Sequence, residues 1–118
     1  MIIKNPIYFD LDDTLILWDQ TPGDGEHRGV GYKINTLLVE KMISYKKEGK
    51  DIIVWSQAGA DHAIIMARKA GFYNIVDHFI TKPSTYYDDK LMSQWGCKCI
   101  YPEGVAEEPR KQRRVREV

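Results

Sequence analysis

The chain has 118 residues, 43% apolar and 29% charged, values that suit one globular domain and exclude a disordered or fibrous polypeptide. Seventeen basic residues balance seventeen acidic ones, so no overall field draws the chain to nucleic acid or to an anionic membrane. No apolar run is long enough to span a bilayer and no basic-then-apolar leader opens the chain, so the expected compartment is the cytoplasm.

Pro6 to Phe9 reads as a first strand, because Ile7, Tyr8 and Phe9 are apolar and β-favouring. The strand runs into Asp10, Asp12 and Asp13, with a hydroxyl at Thr14. Residues 16–32 collect Gly23, Gly25, Gly29 and Gly31 with Pro22, which is turn and flap chemistry. Thr36 to Glu48 has helical spacing at Leu38, Met42 and Tyr45, with Asn35 as N-cap and Gly49 just past the end. Ile52-Ile53-Val54-Trp55 is an unbroken apolar run, the mark of a strand buried on both faces.

A second helix over Asp61 to Ala70 stops at Gly71, and Asn74-Ile75-Val76 opens a third strand that Phe79-Ile80 continues. Thr85-Tyr86-Tyr87 leads a fourth strand into Asp88-Asp89, a short helix reaches Trp95, and Lys98 to Tyr101 forms a last strand. This alternation predicts an α/β fold with a mostly parallel sheet. The domain is expected over residues 1–102, followed by a charged tail over 103–118. In the tail, Glu103, Glu107 and Glu108 precede Arg110, Lys111, Arg113, Arg114 and Arg116, and a solvated tail is preferred to a phosphate-binding one. Cys97 and Cys99 read as reduced thiols, and His27, His62 and His78 as surface or packing residues.

Three carboxylates at one strand end repel each other unless a cation or a shared proton compensates. Other strand ends add Ser56, Lys82 and the pair Asp88-Asp89. In open α/β sheets such ends form the ligand crevice. Hydroxyls, one lysine and several carboxylates together suit a dianionic phosphoryl group bound with Mg²⁺, the acids holding the hard cation through oxygen.

In their order these segments resemble the haloacid dehalogenase-like superfamily of phosphohydrolases. The first motif is matched by Asp10-Leu11-Asp12-Asp13-Thr14 after an apolar strand, and the second by Ser56 closing Ile53-Val54-Trp55. The third is matched by Lys82-Pro83, the fourth by Tyr86-Tyr87-Asp88-Asp89. The resemblance spans roughly residues 6 to 101. It implies a Rossmann-like three-layer sandwich with a five-stranded sheet in the order 3-2-1-4-5, and a Mg²⁺-dependent phosphatase. Asp10 would be the nucleophile that becomes an aspartyl-phosphate, and Asp12 the acid and base. Thr14 would brace the loop, while Ser56 and Lys82 would hold the phosphoryl group. Asp10, the main-chain carbonyl of Asp12, and Asp88 would ligate the metal, with Asp89 ligating directly, through water, or orienting Lys82. Asp13 stands where many relatives have Gly and reads as a bystander; Trp18 is the aromatic residue to test as a substrate contact.

The chain departs from the usual pattern in two places. Only five residues separate Lys82 from Asp88, too few for the helix relatives carry there. No segment is long enough for a cap domain, so the site is expected to be open, as in members that act on phosphorylated macromolecules or borrow a partner's lid. Nucleotide, polynucleotide end, sugar phosphate and phosphoprotein all stand as substrates. Two other readings compete: a non-catalytic phosphate- or nucleic-acid-binding module on the same scaffold, and a phosphorylated signalling receiver. The receiver would need an acid on a later strand, where this chain has Trp55-Ser56.

Overall fold

The apolar run at Ile52 to Trp55 becomes the centre of a parallel sheet. The computed structural model describes residues 2–19 and 31–102. Within it β1 is Ile7–Asp10, β2 Ile16–Trp18, β3 Tyr32–Ile34, α1 Thr36–Lys47, β4 Ile52–Ser56, α2 Ala60–Ala70 and β5 His78–Thr81. β4 lies between β1 and β5, parallel to both, with Asp10 in register with Trp55 and Ser56 with Thr81. β2 and β3 pair antiparallel as a separate two-stranded ribbon inside the stretch read as flap. Residues 20–30 of that stretch, and the charged tail over 103–118, lie outside the described residues.

Both crossovers, β1 to β4 and β4 to β5, move the same way across the sheet, and right-handed connections then put α1 and α2 on one face. The core agrees: Phe9, Ile52 and Val54 pack with Met42 of α1 and with Ala63, Met66 and Ala67 of α2. Leu11, Leu15 and Ile16, from the loop after β1, are fully buried in the same cluster. On the opposite face Tyr8 is 45% exposed and meets Trp55 edge-on at 4.8 Å. The described elements thus form two layers and a three-stranded parallel sheet, not a three-layer sandwich around five strands.

Three expected strands move or vanish for identifiable reasons. Tyr73–Ile75 form a 3₁₀ turn rather than the start of a strand. Buried Phe72 anchors that turn, and Tyr73 stacks on Phe79 at 5.5 Å. Asp77 then takes the place of a ladder residue, its N–H donating to the Ile52 carbonyl at 2.8 Å and its carboxylate accepting from the Ile52 N–H at 2.7 Å. The strand follows from His78.

Residues 82–91 and 96–102 contain no strand. From the outer side of β5 the chain must pass β4 and β1 to reach the open edge of β1, about three spacings of ~4.8 Å. Five residues at no more than ~3.3–3.6 Å each are spent on that crossing, leaving none to pair ahead of Asp88. The observed order β1-β4-β5 therefore corresponds to the 3-2-1 part of the expected 3-2-1-4-5 sheet.

Candidate functional site

Parallel strands bring their carboxyl ends to one edge, and Asp10, Ser56 and Thr81 end β1, β4 and β5 there. The loop after Asp10 is wound tightly about one carbonyl: Leu11 O accepts from the N–H of Thr14, Leu15 and Ile16 at 3.2, 2.9 and 3.0 Å. Buried Leu11 and Leu15 pin this turn to the core, so the polar residues between them are held at its outer side. Asn35, buried at the start of α1, ties the turn down further by donating from Nδ2 to Thr14 O at 3.1 Å. Asp13 adopts φ +62°, a left-handed conformation that Gly takes most readily and that Asp tolerates better than most other residues.

Each carboxylate has its own set of partners. Asp10 Oδ2 accepts from Thr14 Oγ1 at 2.8 Å, and Asp10 Oδ1 lies 3.2 Å from Lys82 Nζ. Asp12 Oδ1 accepts from Trp18 Nε1 at 3.1 Å, and His62 Nε2 stands 3.1 Å from both Asp12 oxygens. The ammonium of Lys82 supplies the positive charge that the acid cluster required. Its main-chain N–H donates to Ser56 O at 3.0 Å, which fixes it beside β4, and its Nζ also lies 5.6 Å from the centre of the Trp55 ring.

Ser56 is 1% exposed, and its Oγ accepts from the Ala58 N–H at 3.1 Å. Here the chain turns into α2 through Gly59, whose φ of +111° few side chains permit. Thr81 Oγ1 accepts from the Ala60 N–H at 3.0 Å, holding the start of α2 at the carboxyl edge of the sheet. His62, in the first turn, is thereby brought to Asp12.

Sequence reasoning took His62 for a surface or packing residue and singled out Trp18 for testing as a substrate contact; in the structure both bond Asp12. The available signal was positional, since a helix that starts directly after a strand's carboxyl end directs its first turn toward the site. Asp88 and Asp89 are exposed on an irregular segment, where Asp88 Oδ1 accepts from the Lys90 N–H at 3.1 Å. They are not brought into one group with Asp10 and Asp12, and among the described residues no three His, Cys, Asp or Glu side chains gather to hold a metal ion. The donor chemistry at Asp10 and Asp12 still fits Mg²⁺, which is commonly held by one or two carboxylates with water and substrate phosphate completing the shell.

Comparison with protein-family models, with curated proteins and with solved structures returns no match for this chain.

Proposed function

We propose that the chain is a Mg²⁺-dependent phosphomonoester hydrolase that works through an aspartyl-phosphate on Asp10. The observation that carries this reading is Lys82 Nζ at 3.2 Å from Asp10 Oδ1 while Thr14 holds the other oxygen. That arrangement offers an oriented carboxylate beside a cation, which is what an incoming phosphoryl dianion needs. The ordered motifs at Asp10, Ser56 and Lys82, similar to those of haloacid dehalogenase-like phosphatases, support the same reading.

In the reaction, one oxygen of Asp10 attacks phosphorus in line and the bond to the leaving oxygen breaks. Asp12 gives its proton to that oxygen. Asp12 then takes a proton from water, which attacks the phosphorus and releases inorganic phosphate, restoring Asp10. Lys82 neutralises phosphoryl charge throughout, and Ser56 shapes the adjacent turn. The Asp10 carboxylate and the Asp12 main-chain carbonyl would hold Mg²⁺, whose chemistry there would be to offset phosphoryl charge. The substrate is a phosphomonoester reached through an open site, a nucleotide or polynucleotide end among the candidates.

A phosphomonoester panel assayed with Mg²⁺ and with excess chelator tests the proposal. The expected result is phosphate release that chelator abolishes and that Asp10→Asn lacks. Release unchanged in Asp10→Asn overturns the mechanism, and no release from any ester overturns the function.

A further inference from the structure

We infer that His62 and Trp18 are positioning residues for Asp12, a role that rests on the phosphatase reading above. The two acids of the site are separated by their donors. Lys82 and Thr14 reach Asp10, whereas Trp18 Nε1 and His62 Nε2 reach Asp12. The His62 contact is symmetric, 3.1 Å to each oxygen, so it sets the plane of the carboxylate as well as its direction. Once Asp12 has given up its proton both of its oxygens only accept, and Nε2 is then the donor.

The two donors come from opposite sides of the chain's path: Trp18 ends β2, and His62 lies in the first turn of α2. Trp18 is itself backed by Tyr32 of β3, ring centres 5.3 Å apart. Asp12 is thus clamped between the small ribbon and a helix, and cannot swing toward Lys82 to form a second ion pair there. That restraint keeps Asp12 available to the leaving-group oxygen while Asp10 faces phosphorus. Proton delivery in a transition state depends on such placement.

Leaving-group dependence distinguishes this role from a general structural one. p-Nitrophenolate departs with little need of a proton, whereas an alkoxide does not depart without one. In His62→Ala, kcat/KM toward glycerol phosphate is expected to fall by roughly 10–100-fold, while that toward p-nitrophenyl phosphate stays within about threefold of the starting protein. His62→Gln, which keeps a side-chain N–H, recovers part of the glycerol phosphate activity. Trp18→Phe keeps the ring on Tyr32 and deletes only the donor, so it gives the same selective loss on a smaller scale if His62→Ala does not fold. Equal losses on both esters, or none on either, overturn the positioning role and leave the phosphatase reading standing. Unsubstituted protein that releases phosphate from no ester of the panel overturns both.

Discussion

Lys82 Nζ lies 3.2 Å from Asp10 Oδ1, joining the end of the first strand to the residue just past the last described one. Both side chains are partly open to solvent, and an ion pair of that kind contributes only ~0–1 kcal/mol to stability. Its value lies in what it holds ready. Lys82→Met is expected to lower kcat/KM by roughly 10²–10³-fold, the usual cost of removing a charge-stabilising group, while thermal unfolding moves by only a few degrees. Steady-state kinetics and a melting curve on the same sample check the pair of outcomes.

Asp77 gives the fold a pH dependence of known direction. Burial alone would raise its carboxyl, but the Ile52 N–H and the Lys46 ammonium at 2.8 Å outweigh that and hold it below the ordinary carboxylate value. A carboxyl lowered by folding stabilises the native state above its unfolded value of about 4, and that contribution drains away as pH falls through the folded value. Asp77→Asn should therefore cost about 1–2 kcal/mol at pH 7, with the deficit shrinking below about pH 4. Urea midpoints of the two proteins at pH 7 and pH 3 measure it.

Asp13 separates backbone demand from chemistry. With φ at +62°, Asp13→Gly is expected to retain stability and activity, whereas Asp13→Ala should lose about 1 kcal/mol because a methyl group meets the left-handed penalty. Chemical denaturation of the two variants decides the matter, and comparable losses in both would point to the carboxylate itself.

Much of this arrangement could be read from local pattern. Helical spacing at Leu38, Met42 and Tyr45, with caps at Asn35 and Gly49, marked α1 to within a residue at each end. The unbroken run at Ile52 to Trp55 marked the central strand. Local pattern failed where a long-range partner decided the outcome. Asn74-Ile75-Val76 looks like a strand until Asp77 occupies the Ile52 hydrogen bonds ahead of it. Tyr86-Tyr87 and Lys98 to Tyr101 have suitable residue types, yet neither segment pairs with the described sheet. His62 was illegible for a related reason, since its partner Asp12 is 50 positions away and nothing local marks a solitary histidine as a donor.

The spread of these partners along the chain imposes an order on assembly. Asp10, Asp12 and Asp13 leave the ribosome before His62, and Lys82 follows only after β5 has been made. Until β5 docks, Asp10 has no Lys82 ammonium beside it, and the Thr81 hydroxyl is not in place to hold the start of α2, which carries His62 to Asp12. A nascent chain, or one nicked between α2 and β5, would carry all three carboxylates and no assembled centre. The Asp10–Lys82 pair thus forms only once β5 is in place, and its presence reports that the described sheet is complete.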